Sequence, residues 1–221
     1  MQPTQSMTPG LPSRRCFLLA GAAAIGVLPA SGVMAVTEAT DAARVASTSP
    51  ELDEALRRLR QGGVVVMFRH ALAPGTFDPP EFKLGDCRTQ RNLSEAGRLQ
   101  AQRIGRWFAR HGLKPESVRA SPWCRCLDTA TLAFGAAQPW DALVSPVGSA
   151  PVQRQARIQA LQSAVRDATA RPGFQVWVTH DFVVSDLTGS NAQSGEGLVL
   201  QANAAGDVLI VARLSGLADA V

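Results

Sequence analysis

The chain has 221 residues, 46% of them hydrophobic and 18% charged, with a formal net charge of +4. That is enough apolar chain for one domain, or one domain with a tail, whose core needs neither metal nor disulfide. The basicity is mild and nearly all arginine. Its densest cluster, Arg57, Arg58 and Arg60, falls on an expected surface helix, which argues against a nucleic-acid partner.

The first segment reads as an address. Ser13-Arg14-Arg15-Cys16-Phe17-Leu18-Leu19 opens an apolar stretch that ends in Val33-Met34-Ala35, the order of charged, apolar and small residues that a signal peptidase cuts. Ser-Arg-Arg-x-Phe-Leu resembles the bacterial twin-arginine export signal. The expected organisation is therefore a signal peptide over residues 1–35, a flexible linker over 36–50 and a folded domain over 51–221. Export machinery is an expected partner and the periplasm or exterior the expected location. The apolar stretch is rich in Gly and Ala, so no stable membrane span is expected after cleavage. Cys16 leaves with the signal, while Cys87, Cys124 and Cys126 remain, in a compartment where disulfides persist. Cys124 and Cys126 point to different faces of one helix, so the expected bridge joins Cys87 to one of them and leaves an odd thiol.

Beyond the linker, Leu52, Leu56 and Leu59 recur at helical spacing, and Gly62-Gly63 ends that helix. Val64-Val65-Val66-Met67-Phe68 is a continuous apolar run, the mark of a strand covered on both faces. Residues 71–92 form a long loop with Pro74-Gly75 and Pro79-Pro80, a length that usually serves function. A helix over residues 94–110 takes Ser94 as N-cap, turns Ile104, Trp107 and Phe108 inward and closes at Gly112. A short strand over 117–120 leads to Ser121-Pro122, with Pro122 suited to the first turn of a helix reaching Phe134. Residues 140–147 read as irregular or a short strand, and 151–170 as a helix with Ile158, Leu161 and Val165 inward. A strand over 174–179 is followed by a turn region to Glu196. Strands over 198–202 and 208–214, joined at Ala205-Gly206-Asp207, read as an antiparallel edge hairpin. Strands alternating with helices predict an α/β fold, three layers α/β/α around a mostly parallel sheet.

Two of the three histidines end the two buried strands, in Phe68-Arg69-His70 and Val178-Thr179-His180-Asp181. In open α/β sheets that edge is where ligands bind. A neutral imidazole is a competent nucleophile toward phosphorus. The transferred group needs positive charge around its oxygens, and a guanidinium supplies it through two parallel bonds. Arg69 adjoins His70, and Arg125 sits in the first turn of a helix, where amide donors and the dipole favour anions. His180, if protonated, would add charge. Asp181 would protonate the leaving oxygen, with Asp78, Glu81 and Asp86 in the long loop as rivals. Plain structural roles compete with these. Arg125 would pair with Asp128 on a helix surface, His111 would satisfy carbonyls at a helix end, and Ser94, Glu95 and Gly97 would cap and pack. Glu196 would line the site or face solvent.

Phe68-Arg69-His70, Asn92-Leu93-Ser94-Glu95-Ala96-Gly97, Ser121-Pro122-Trp123-Cys124-Arg125-Cys126 and Val178-Thr179-His180, in this order, resemble the histidine phosphatase superfamily, whose fold is phosphoglycerate-mutase-like. The resemblance implies phosphomonoester hydrolysis through a phosphohistidine on His70, and a phosphate pocket of Arg69, Arg125 and His180. It implies a small-molecule substrate, no metal and no organic cofactor. Two departures stand out. Ala71 replaces the glycine that usually follows Arg-His, and no large insert supplies a glutamate acid. The competing function is a phosphate-binding or sensor protein that kept the pocket and lost turnover. A metal site of His70, His180 and a thiolate lacks the regular ligand spacing such sites use.

Overall fold

The computed structural model describes residues 50–217. The expected signal (residues 1–35), the linker up to residue 49 and residues 218–221 lie outside the described residues. Helix α1 (Pro50–Gln61) starts one residue before the expected domain boundary, with its proline at the position where a missing N–H is harmless. Glu51 and Asp53 open it and Arg58 and Arg60 close it, each charge opposing the nearby end of the helix dipole. Leu52, Leu56 and Leu59 are buried, as their spacing predicts. Arg57 and Arg58 both pair with Glu54, which accounts for most of the basic cluster as a helix surface.

Among the described residues, six strands form one sheet: β1 (Val64–Arg69), β2 (Ser117–Ala120), β3 (Gln138–Pro139), β4 (Phe174–Thr179), β5 (Gly197–Ala202) and β6 (Val208–Leu214). Their spatial order is β3-β2-β4-β1-β5-β6. The first four strands of that order run parallel, and β5 and β6 are antiparallel additions at one edge. The helices α2 (Glu95–Arg110), α3 (Cys124–Phe134), α4 (Pro151–Thr169) and α5 (Asp181–Thr188) complete the layers.

Alternation along β1 builds the two cores. Val64, Val66 and Phe68 face one side and pack with α1, α2 and α3, among them Leu56, Trp107, Phe108 and Ala130. Val65 and Met67 face the other side and pack with Leu161 and Val165 of α4 and Val184 of α5. The expected three-layer architecture is thus present, with the sheet's most apolar strands at its centre. No helix among the described residues is long and apolar enough to cross a membrane.

Three expectations need correction. Residues 181–196 are not a turn region throughout, because α5 occupies Asp181–Thr188 and ends at Gly189 in the left-handed conformation. Pro122 lies outside α3, which begins at Cys124; Ser121 still donates to Val178 and so continues the strand ladder. Around residue 140 the short strand comes earlier, at Gln138–Pro139, and a 3-10 turn follows at Asp141–Leu143.

Candidate active site

The register of the central strands creates the site. Arg69 of β1 pairs with Thr179 of β4. The His70 N–H then donates to the Thr179 carbonyl at 2.8 Å, so His70 and His180 leave adjacent strand ends side by side. Their rings meet edge to face, with centroids 5.7 Å apart. On the other flank of β4, β2 ends at Ala120 opposite Val178, and Ser121 Oγ lies 2.9 Å from His180 Nε2. Helix α3 starts directly after, which carries Arg125 to the same edge.

His70 is buried, and its Nδ1 lies 2.8 Å from the Ala71 carbonyl. A carbonyl only accepts, so Nδ1 carries the proton and the lone pair is on Nε2. Burial pushes the ring down to about 3 against the pull of that bond, and the positive charges of Arg125, Arg91 and Arg69 push the same way. The imidazole is therefore neutral and in one tautomer. Ala71 is itself buried and donates its N–H to Thr129 Oγ1 at 3.0 Å, which anchors the carbonyl that orients His70.

His180 departs from the protonated form considered above. Arg125 Nη2 donates to its Nδ1 across 3.1 Å, so that nitrogen is an acceptor and Nε2–H donates to Ser121 Oγ. Burial, then the charge of Arg125, holds the ring well below its ordinary 6.5. Arg125 is also buried. It pairs with Asp78 at 3.0 Å, not with Asp128, whose partner is Arg98. Asp78 further accepts from Trp123 Nε1 and from the Arg91 N–H.

These groups line a cleft of about 350 Å³ whose walls include Arg69, His70, Asp78, Arg91, Arg125, His180 and Asp181. Three guanidiniums thus face two carboxylates. Of the four acid candidates, Asp78 and Asp181 line the cleft, whereas Glu81 and Asp86 do not, and Asp86 pairs with Arg88. Asp181 accepts the Ala192 N–H at 2.9 Å, which fixes its carboxyl at the first residue of α5. Arg69 donates to the Ala192 carbonyl at 2.9 Å, so one short segment braces both.

Arg91 is the residue the sequence reading missed. It sits in an aperiodic loop, where only its place beside Asn92-Leu93-Ser94 could have drawn notice. Burial and the neighbouring Arg125 charge lower its pKa, the mark of cations crowded together. Thr129 and Ser121 were also missed, since both act through the residues they hold.

The remaining candidates have structural roles. Cys87 bridges Cys124, and Cys126 is free and buried, its thiol pushed up to about 12 by burial. Ser94 Oγ caps α2 by accepting from Gly97. His111 Nδ1 donates to the Trp107 carbonyl at 2.8 Å. Glu196 neither lines the cleft nor faces solvent; it is buried and accepts from Arg213 and Ser215. Among the described residues, no three His, Cys, Asp or Glu side chains gather in a way that would hold a metal ion.

No protein-family model matches the chain, and no curated protein matches it in sequence. Solved structures do. A phosphoserine phosphatase from Entamoeba histolytica, in complex with 3-phosphoglyceric acid, is 10% identical with a TM-score of 0.50, over 70% of this chain and 98% of that one. The putative phosphohistidine phosphatase SixA from Agrobacterium tumefaciens is 19% identical with a TM-score of 0.45, over 69% and 97%. The protein histidine phosphatase SixA complexed with tungstate is 17% identical with a TM-score of 0.45, over 69% and 96%. At such identities the likeness concerns the fold, which is the phosphoglycerate-mutase-like arrangement of a six-stranded mixed sheet between helices.

Proposed function

We propose that this protein is an exported phosphatase that hydrolyses phosphomonoesters through a phosphohistidine on His70. One observation carries the reading: a buried imidazole, neutral and locked by Ala71 into the tautomer with its lone pair on Nε2, shares a cleft with Arg69, Arg91 and Arg125. A structural histidine has no need of three arginines. Three crowded guanidiniums favour an anion, and arginine's fork matches the oxygens of a phosphate. The Entamoeba fold neighbour, a phosphoserine phosphatase in complex with 3-phosphoglyceric acid, supports phosphoryl chemistry on this fold.

The reaction then has two displacements. His70 Nε2 forms a bond to phosphorus as the ester P–O bond breaks, and Asp181 gives its proton to the departing alkoxide. Water next attacks phosphorus and yields a proton to Asp181, the N–P bond breaks, and inorganic phosphate leaves. Arg69, Arg91 and Arg125 hold the equatorial oxygens, where charge accumulates in the transition state. His180, neutral and held by Ser121 at Nε2, accepts from Arg125 at Nδ1 and so positions that guanidinium. Asp78 is less free than Asp181 to reach the leaving oxygen because both its oxygens accept from the Arg125 guanidinium. The disulfide accords with export, since such bridges persist in oxidising compartments. The twin-arginine-like segment supplies the route.

The test is to mix the protein with a ³²P-labelled phosphomonoester, quench in base, and map the label. Acid-labile, base-stable label on His70 is the expected result. His70→Ala should lower turnover on the order of 10³-fold or more. Turnover without label on that ring would refute the mechanism. Tight phosphate binding without turnover would favour the anion-sensor alternative.

A further inference from the structure

The chain is poor in aromatics, with eight phenylalanines, four tryptophans and no tyrosine. Four of these twelve rings nevertheless line the one cleft that holds His70: Phe77, Phe82, Trp123 and Phe182. Trp123 is buried, but Phe77, Phe82 and Phe182 are exposed and lie outside the core. Phe77 is 66% exposed and Phe182 49%, and Val147 beside them is 57% exposed, whereas His70, Arg125 and His180 are buried. The cleft therefore has a cationic floor and an apolar mouth. Phe82 stacks against Trp123 at 5.6 Å, and Trp123 meets His180 at 5.5 Å, so apolar surface runs without a break from the opening to the floor.

Exposed apolar surface of this kind is costly unless a ligand covers it. Its chemistry limits what that ligand is. Among the described residues, Thr76 and Ser145 are the only uncharged hydroxyl side chains in the lining, and no lysine lines it. A sugar or polyol bound here would find few partners for its hydroxyls along the aromatic wall. An apolar alcohol would bury only carbon against carbon. The volume, about 350 Å³, matches a phosphate with a small organic body.

We infer that the substrate is a phosphomonoester of an apolar alcohol, aromatic or aliphatic, whose carbon body lies against Phe77, Phe82, Val147 and Phe182 while its phosphate meets the arginines. This rests on the phosphatase reading for turnover, but its recognition half can be measured without turnover.

The experiment compares 2-phenylethyl phosphate and hexyl phosphate with glycerol 3-phosphate. All three have primary alkoxide leaving groups, so differences in kcat/KM report recognition of the alcohol more than its reactivity. In parallel, calorimetry compares 2-phenylethylphosphonate with 2,3-dihydroxypropylphosphonate, which cannot be hydrolysed. The expected preference for the apolar member of each set is about tenfold or more, the effect of covering a few methylene groups. Phe77→Ser combined with Phe182→Ser should reduce that ratio several-fold, and Leu209→Ser, on an exposed position of β6, should not. If the double variant fails to fold, each single variant and the wild-type phosphonate comparison carry the test. Equal or better use of glycerol 3-phosphate, or equal phosphonate affinities, would overturn the inference while leaving a working phosphatase. Preferential binding of phenylethylphosphonate with no ester hydrolysed would uphold apolar recognition and refute the phosphatase reading instead. Neither binding nor hydrolysis would overturn both.

Discussion

His70 is kept uncharged by its surroundings, and that has a cost in acid. Its ring is held at about 3 in the fold, against roughly 6.5 in an unfolded chain. Above pH 6.5 neither state binds the proton, so stability is independent of pH on this account. Below it the unfolded chain takes up a proton that the native ring refuses, and stability falls as pH drops toward 3. By pH 5 the loss from His70 alone is about 2 kcal/mol. His180, also held well below 6.5 by burial, acts in the same direction. Urea unfolding followed by circular dichroism should therefore give a lower free energy at pH 5 than at pH 7. His70→Gln, which does not titrate, should show a shallower fall. If the variant is as acid-sensitive as the wild type, His70 is not neutral and buried as described. The same neutrality suits the proposed chemistry, because an imidazole held this low does not protonate in mild acid as a free one would.

At the scale of elements, α2 is fitted to the loop that leaves His70. A methyl group added at Gly97 would lie 2.0 Å from the Leu72 carbonyl oxygen, which also accepts the Ser94 N–H. Alanine normally improves a helix interior by about 1 kcal/mol. Here overpacking should outweigh that gain, and Gly97→Ala should destabilise the protein by about 1–3 kcal/mol in urea denaturation. Because Leu72 follows His70 by two residues, kcat/KM should fall as well. Gly105 makes a comparable approach to the Ala133 carbonyl where α2 meets α3, far along the helix from the site. Gly105→Ala should lose stability while retaining activity per folded molecule. A neutral or stabilising Gly97→Ala would show that the loop yields freely. Which elements were legible follows from the same physics. β1 and β4 announce themselves because a strand covered on both faces is largely apolar, with polar residues confined to few positions such as Arg69, Gln175 and Thr179. α2 is legible from its cap, its inward stripe and Gly112. α5 was not, since eight residues with Val183 and Val184 side by side show no clear helical period, and only Gly189 marks its end. The proposed phosphate cradle divides likewise. Arg69 and Arg125 sit in motifs, whereas Arg91 reaches the cleft by the path of a loop that no periodicity describes.

For the molecule as a whole, the sheet presents two histidines on rigid strand ends, and the long loop brings the rest of the cleft to them. That loop carries Phe77, Asp78, Phe82 and Arg91, four of the cleft's walls. Several specific ties hold it to the body near Arg125. Asp78 pairs with Arg125, Gln90 accepts the Cys124 N–H at 3.0 Å, and Cys87 is bonded to Cys124. The covalent tie closes a segment with a sequence separation of 37 residues. A loop of that length, once linked, restricts the unfolded chain enough to stabilise the fold by about 4 kcal/mol on the chain-entropy account. The bridge lands on the residue before Arg125, so it also sets where the loop's cations stand relative to that guanidinium. The combined Cys87→Ser, Cys124→Ser variant should melt well below the wild type. It should also bind vanadate, a phosphate mimic, more weakly, with the loss greater than a Cys126→Ser control produces. Cys126 is buried against Thr179 and His180 without bridging anything, so its replacement perturbs packing beside His180 while leaving the bridge intact. If the double variant lost stability but bound vanadate unchanged, the bridge would serve only the fold, and the loop would find its place over the histidines through Asp78 and Gln90 without it.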